Sequence, residues 1–167
     1  MKLSDHIRYI IHAHQQQPQK LLNAYRLWDK NTPYSIHPLW CAMTILTETQ
    51  LPKALREEGH LTLLYHDILE DTKAKLPTLP DKVKKSIRDM TFDNGIDQEI
   101  ARIWHKQSKI RLFKLYDKIS NLLDASWMPP ELHKKYIDYT RKLLQDVEQN
   151  FGSLNIVKIA HAFVDQK

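Results

Sequence analysis

Residues 64–72 read LYHDILEDT and place four ionisable side chains in the middle of a helical pattern that is otherwise apolar. Apolar residues occur on both sides of this helix, so most of its circumference is predicted to be buried. Buried charges are costly unless they are paired or bind a metal ion. The ionisable residues in this stretch are His66, Asp67, Glu70 and Asp71.

The stretch by itself leaves two interpretations open. In the first, the imidazole and the carboxylates bind a buried divalent cation, for which they are natural ligands. In the second, the helix is partly exposed and the same residues form a solvated acidic face. A His–Asp pair is common by chance, so these nine residues do not decide between a metal site and a solvated surface.

Composition favours a helical protein. The chain has 167 residues, of which 42% are hydrophobic, and this predicts a single domain over residues 1–167 with a sizeable core. Only three glycines occur, which favours helix.

No segment approaches the about 18 consecutive apolar residues of a membrane span. Cys41 is the only cysteine, so no intrachain disulfide can form, and a reducing cytoplasmic setting is expected.

The formal net charge of +5 is a mild bias toward anionic partners. It suits an anionic small molecule as well as a nucleic acid. No run of five or more Lys or Arg residues occurs, and no helix combines a basic face with interleaved aromatic residues. We therefore expect no nucleic-acid partner.

Prolines and helix-capping residues divide the chain into an all-α pattern of about eight or nine helices. The amphipathic helix near the end of the chain is a possible homodimer interface, although packing within the chain is its simpler use. The predicted helices span about residues 4–16, 19–28, 36–49, 52–71, 81–90, 97–105, 109–124, 130–151 and 154–164.

Two further stretches contain candidate ligands. His37 follows YSI and precedes a proline in the first turn of the third predicted helix. Residues 114–124 read KLYDKISNLLD, with an apolar stripe on one side of the helix. The polar residues lie opposite that stripe, and periodicity alone places them in solvent. They are Lys114, Asp117, Asn121 and Asp124.

Three stretches together resemble a known family. The sequences TPYSIHP at 32–38, LYHDILEDT at 64–72 and KLYDKISNL at 114–122 follow the H…HD…D pattern of the HD superfamily of metal-dependent phosphohydrolases. They are similar to the signature stretches of the hydrolase domain of RelA/SpoT-type guanosine polyphosphate hydrolases. The resemblance covers roughly residues 5–160 and implies a single all-α HD-type helical bundle.

The resemblance also implies roles for individual residues. Glu70 and Asp71 match the acidic pair that positions or activates the attacking water, and Asn121 matches an asparagine at the substrate end of the site. Arg26 is the candidate for a basic residue that faces the nucleotide, and Lys114 together with Arg26 would offset phosphate charge. The implied ligands of a divalent metal, usually manganese in this branch, are His37, His66, Asp67 and Asp117.

The third motif departs from the usual pattern at two positions. Tyr116 stands where the family commonly has alanine, and Lys118 stands where it commonly has arginine. Tyr116 and Trp28 are candidates to narrow or reshape a guanosine pocket.

The implied activity is that of a stand-alone guanosine polyphosphate (ppGpp-like) pyrophosphohydrolase that acts on a nucleotide. Two alternatives stay open. One is an HD-type 5′-nucleotidase acting on nucleoside monophosphates, which would release phosphate instead of pyrophosphate. The other is a non-catalytic module that keeps the metal site and binds a nucleotide without hydrolysing it.

Overall fold

The computed structural model of the protein describes residues 1–16 and 24–165. In this part of the chain the secondary structure consists of helices joined by loops and turns. In these ranges there is no β-sheet, and only an isolated antiparallel bridge joins Tyr25 to Pro33. The all-α prediction is therefore confirmed. The α-helices are α1 (Leu3–Gln15), α2 (Ile36–Leu46), α3 (Lys53–Tyr65), α4 (Ile68–Asp71), α5 (Asp81–Met90), α6 (Gly95–Arg102), α7 (Ser108–Leu123), α8 (Pro130–Phe151) and α9 (Asn155–Val164), with short 3₁₀ helices at Ile103–His105 and Ala125–Trp127.

Helix boundaries agree with the prediction where prolines or caps mark them. Helices α5 and α8 begin and end as predicted, and Gly152 after α8 has the positive φ of 77° that favours glycine at a helix end. The predicted helix at 19–28 is not seen in its second half, because residues 24–28 form turns and the bridge. Its first half, through residue 23, lies outside the described residues.

The predicted helix through residues 52–71 is interrupted at His66 and Asp67, which connect α3 to α4. The cause is local. The His66 Nδ1 lies 2.7 Å from the carbonyl oxygen of Leu63, and this side-chain hydrogen bond competes with the helical ladder. Asp67 has φ −87° and ψ −6°, a turn conformation, and its carbonyl accepts a bond from the Asp71 N–H at 2.8 Å.

Helix α7 lies at the centre of the fold, in contact with α2, α3, α5, α8 and α9. The prediction from periodicity that its polar face is solvated is wrong, because Lys114 and Asp117 are buried, while Asn121 and Asp124 are half-buried. Periodicity shows which residues share a face, but not whether another helix covers that face. The apolar face of α8 packs within the chain, through Tyr139, Leu143, Leu144 and Val147.

Glu48 ties three helices together from the turn that follows α2. Its side chain is buried and accepts hydrogen bonds from the Tyr116 hydroxyl at 2.9 Å and from the backbone N–H groups of Asn155 and Ile156 at 2.8 Å each. The carboxylate thus caps the N-terminus of α9, where unpaired N–H groups favour an anion. Tyr116 consequently faces α9, and the expectation that it shapes a nucleotide pocket is wrong.

Substitution of Glu48 by alanine should destabilise the protein strongly. It removes three acceptor contacts and leaves the Tyr116 hydroxyl without its partner, and hydrogen bonds to charged groups contribute about 1.5–3 kcal/mol each. We expect urea denaturation to show the free energy of unfolding lowered by about 3 kcal/mol or more. Glu57→Ala is the matched control, because Glu57 is 62% exposed. Equal stability of the two variants would contradict the capping role.

Candidate metal centre

The structure brings together the four residues that the sequence motifs propose as metal ligands. His37 comes from the first turn of α2, His66 and Asp67 from the break between α3 and α4, and Asp117 from α7. The His37 Nε2 lies 3.2 Å from the His66 Nε2, 3.3 Å from the Asp67 Oδ2 and 3.4 Å from the Asp117 Oδ1. All four side chains are buried, so they form one compact centre within the fold.

The donor set fits a divalent cation. Metal–nitrogen and metal–oxygen bonds of about 2.0–2.2 Å place neighbouring ligand atoms about 3 Å apart at right angles, close to the separations seen here. One ligand atom each from His37, His66 and Asp117 lies within 4.8 Å of the others. Two imidazole nitrogens and two carboxylates in contact, away from water, need a proton or a cation between them. A metal ion is the expected occupant of such a set.

Hydrogen bonds on the far side of each imidazole orient the rings. The His66 Nδ1 donates to the Leu63 carbonyl, because a carbonyl oxygen can only accept, so the Nε2 of the neutral ring points its lone pair into the centre. The His37 Nδ1 pairs with the Ser120 Oγ at 2.7 Å. Such outer contacts fix the tautomer and direction of metal-binding histidines.

The two aspartates are held as anions. Burial by itself raises the pKa of Asp67, but the imidazoles of His66 and His37 outweigh it and hold the pKa of this carboxyl well below its usual range. The Tyr34 hydroxyl donates to the Asp67 Oδ2 at 2.8 Å. For Asp117, Lys118 and Lys114 overcome the effect of burial and likewise lower the pKa.

A cleft of about 350 Å³ opens beside this centre. That volume is within the range of small-molecule sites, which run from about 300 to 1,000 Å³. Several parts of the chain contribute polar side chains to its wall. These side chains are Tyr25, Arg26, Tyr34, Asp67, Glu70, Asp71, Glu99, Lys114, Asp117, Lys118, Asn121 and Tyr136.

Glu70 and Asp71, the proposed acidic pair, reach the cleft from the short helix α4. The Glu70 Oε1 accepts a hydrogen bond from the Phe92 backbone N–H at 2.9 Å, which ties α4 to the segment after α5. Glu70 is exposed at the surface, but partial loss of solvation in the cleft wall raises its pKa to about 7. Loss of solvation together with the charge of Asp67 raises the pKa of the half-buried Asp71 to about 6. Both carboxylates can therefore exchange protons near neutral pH.

Arg26 and Asn121, proposed from the motifs to bind substrate, are linked to each other. The Arg26 guanidinium donates to both Asp124 oxygens, at 2.6 and 2.8 Å, and to the Asn121 Oδ1 at 3.0 Å. Asn121 in turn donates to the Asp117 Oδ1 at 2.8 Å. Three N–H directions of the guanidinium are thus used, and among the residues that the structure describes no hydrogen bond engages the Nη1 edge, which is a candidate contact for a ligand.

Trp28 lies outside the cleft. It lines a neighbouring groove of about 290 Å³ together with Trp40, Ile36 and Leu123. Arg26 lines both the groove and the cleft. Trp28 therefore does not narrow the cleft itself, and a role for its indole in shaping a guanosine pocket stays a prediction.

Several residues of the site were missed from sequence. Tyr34 and Ser120 lie inside the motif stretches, so a signal for them existed. In the motif, Lys118 stands out only because it replaces the common arginine. Glu99 lies outside every motif, in the short helix α6, and its nearly complete burial is the first sign that it matters. Periodicity places Asp124 on the polar face of α7 but gives no sign of its pairing with Arg26.

The fold is similar to that of a known hydrolase. Neither a family model nor a curated protein matches the chain. Among solved structures, it is similar to a metazoan ortholog of SpoT that hydrolyses ppGpp and plays a role in starvation responses. The TM-score is 0.74 with 20% sequence identity, over 98% of this chain and 93% of that one. The likeness confirms the helical fold that the motif resemblance implied.

Among the described residues, no helix is both long enough and apolar enough to cross a membrane.

Binding of a divalent cation should tighten as the pH rises. Burial lowers the pKa of His66, but Asp67 and Asp117 outweigh it and raise the pKa to about 9. Below that pH a proton occupies the ring and must leave before a metal ligates, so affinity should rise about tenfold per pH unit from about 7 to 8.5. Calorimetric titration with Mn²⁺ in two buffers of different ionisation enthalpy measures the affinity and the protons released. A pH-independent affinity without proton release would contradict this.

Proposed function

We propose that this protein is a metal-dependent phosphohydrolase that acts on a nucleotide, most specifically a guanosine polyphosphate of the ppGpp type. The observation that carries the proposal is the convergence of His37, His66, Asp67 and Asp117 beside the acidic pair on α4. The shared fold with a metazoan ortholog of SpoT that hydrolyses ppGpp supports the substrate class.

The proposed reaction is attack of water on the phosphorus that is bonded to the ribose oxygen. The bond between that phosphorus and the ribose oxygen breaks, the ribose oxygen of the nucleotide is the leaving group and takes up a proton, and the attacked phosphorus leaves the site in the pyrophosphate product. A divalent cation, proposed to be Mn²⁺, would supply Lewis acidity and positive charge at the centre. The chain supplies the proton acceptors. Glu70 and Asp71 have pKa values of about 7 and 6, so at neutral pH a large fraction of each can accept a proton from water. The Phe92 N–H holds Glu70 in place for that role.

The walls of the cleft suggest how the nucleotide is held. The Nη1 edge of Arg26 and the ammonium of Lys114 are the proposed contacts for phosphate charge, and Asn121 lies between Arg26 and the metal centre. The base is proposed to lie in the adjoining groove, because the faces of Trp28 and Trp40 suit stacking on a planar ring.

The proposal includes a cytoplasmic location and a single domain over residues 1–167. The lone Cys41 supports a reducing compartment, since it is buried in the core and offers no disulfide partner within the chain. No nucleic-acid partner is proposed. A homodimer is compatible with the proposal, although the apolar face of α8 is used within the chain.

The function is tested by a hydrolysis screen with Mn²⁺ over guanosine tetraphosphate and a panel of nucleoside mono-, di- and triphosphates. We expect pyrophosphate release from guanosine tetraphosphate and its loss on adding a chelator. Asp67→Ala should lose both bound metal and turnover, because it removes a ligand of the centre. Asp81→Ala is the control, since the Asp81 side chain is 98% exposed.

Other outcomes of the screen identify the alternatives. Release of phosphate from monophosphates alone would favour a 5′-nucleotidase. Tight nucleotide binding without turnover would favour a binding module. A fully active Asp67→Ala protein without metal would overturn the proposal.

Removal of either carboxylate of the acidic pair should separate catalysis from metal binding. We expect Glu70→Gln and Asp71→Asn to lower kcat by about 10²–10⁴-fold, the usual contribution of general acid–base catalysis, while Mn²⁺ affinity stays close to that of the wild type. In the wild type, kcat should rise with pH through about 6 to 7 as the acceptor loses its proton. Glu57→Gln, an exposed site on α3, controls for charge. Unchanged kcat in both variants would show that neither Glu70 nor Asp71 accepts the proton from water.

A further inference from the structure

Four charged side chains form a closed ring beside the metal centre. The Lys114 Nζ lies 3.1 Å from the Glu99 Oε2 and 3.1 Å from the Asp117 Oδ2. The Lys118 Nζ lies 3.1 Å from the same Glu99 oxygen and 3.2 Å from the same Asp117 oxygen. Positive and negative groups thus alternate around the ring. Each side chain is at most 6% exposed, so solvent screens these contacts little.

The ring divides the two oxygens of Asp117 between different partners. The Oδ2 receives both ammonium groups and is fully occupied. The Oδ1 faces the metal centre, 3.4 Å from the His37 Nε2 and 3.8 Å from the His66 Nε2, and accepts a hydrogen bond from the Asn121 side chain at 2.8 Å. A carboxylate held in this way presents a single oxygen to a cation. Rotation about its Cβ–Cγ bond would break two charge-assisted contacts at once.

Glu99 is what allows two ammonium groups to share one oxygen. Two like charges buried side by side repel each other, and neither would stay there without compensation. Glu99 contributes the second negative charge from α6 and bridges both lysines. Each ammonium group also contacts an aromatic ring. The Lys114 Nζ lies 5.4 Å from the centroid of the Phe92 ring, and the Lys118 Nζ lies 5.3 Å from the centroid of the Tyr136 ring. The ring as a whole is neutral, so it orients Asp117 without changing the net charge of the cleft.

We propose that Glu99 and Lys118 are positioning residues of the metal centre, which hold the Asp117 carboxylate so that its Oδ1 alone is presented to the cation. Neither residue contacts the other three ligands of the centre by a described hydrogen bond or ion pair, so both act through Asp117. This inference depends on the metal centre and not on the identity of the substrate.

Substitution of Lys118 distinguishes a positioning role from a simple charge effect, because the two predict opposite changes in metal affinity. A lysine next to a dication repels it, so loss of the charge alone would tighten metal binding. Loss of a positioning contact weakens metal binding, and outer-sphere substitutions commonly cost about 10–100-fold in affinity. Lys118→Met removes the ammonium group and keeps much of the side-chain volume.

The experiment is calorimetric titration of the full-length protein with Mn²⁺, without nucleotide. We expect Lys118→Met and Glu99→Gln each to weaken Mn²⁺ binding by about tenfold or more. Lys118→Arg, which keeps the charge and the donors, should retain most of the affinity. Lys135→Met is the control, because Lys135 is 43% exposed and pairs with Asp97 on the surface. Thermal unfolding of each metal-free variant reports whether it is folded.

The proposal for Lys118 is overturned if a folded Lys118→Met protein binds Mn²⁺ as tightly as the wild type or more tightly. If that variant does not fold, weak binding by Lys118→Arg together with full affinity in Glu99→Gln overturns it. The double variant Lys118→Met/Glu99→Gln tests whether Glu99 acts through the lysines. Because Glu99 is inferred to act through the lysines, Glu99→Gln should cost less affinity in the Lys118→Met background than alone. Equal costs would mean that Glu99 acts by its own charge.

Failure of the metal centre is distinguishable from failure of this inference. If the wild-type protein binds no Mn²⁺, the metal centre itself is refuted, whatever the variants do. If the wild type binds Mn²⁺ and the variants bind it equally well, only the positioning roles are refuted, and the metal centre and the proposed hydrolase activity stand.

Discussion

The carboxylate of Asp117 connects the metal centre to the buried charges of the central helix. One of its oxygens faces the two imidazoles, and the other accepts contacts from two ammonium groups. A carboxylate this deep in the protein is stable only when its lone pairs are used and its charge is compensated. This requirement explains why α7 carries Lys114 and Lys118 on a face that α6 and α8 then cover, and why Glu99 lies against them.

The helix break at His66 and Asp67 is the second constraint on the site. Consecutive residues of a continuous α-helix point about 100° apart, so their side chains diverge. At this break the two side chains nevertheless meet, and the His66 Nε2 lies 3.1 Å from the Asp67 Oδ1. It also starts the short helix α4, which carries Glu70 and Asp71 to the cleft. The Phe92 N–H donates to Glu70 and so ties α4 to the segment after α5.

Much of the helical pattern could be predicted from sequence, and much of the burial could not. Prolines and a glycine marked both ends of α8, and the motif stretches contained all four residues that meet at the centre. Periodicity places the polar face of α7 in solvent, because a periodic pattern shows which residues share a face of the helix but not whether another helix packs against that face. Glu99 and Glu48 gave no signal at all. Their partners lie on other helices, 15 to 108 positions away along the chain, and single acidic residues in a helical pattern are usually solvated.

Local propensity and motif spacing are enough to predict that the chain is helical, where most helices start and stop, and which residues could ligate a metal. The packing of the helices was needed to learn that the charges of α7 are buried and that Tyr116 turns toward Glu48 and away from the cleft. It also showed that one Asp117 oxygen faces the imidazoles and the other faces the lysines. These facts depend on which surfaces meet, because the cost of burying a charge is offset only by partners brought from elsewhere in the fold.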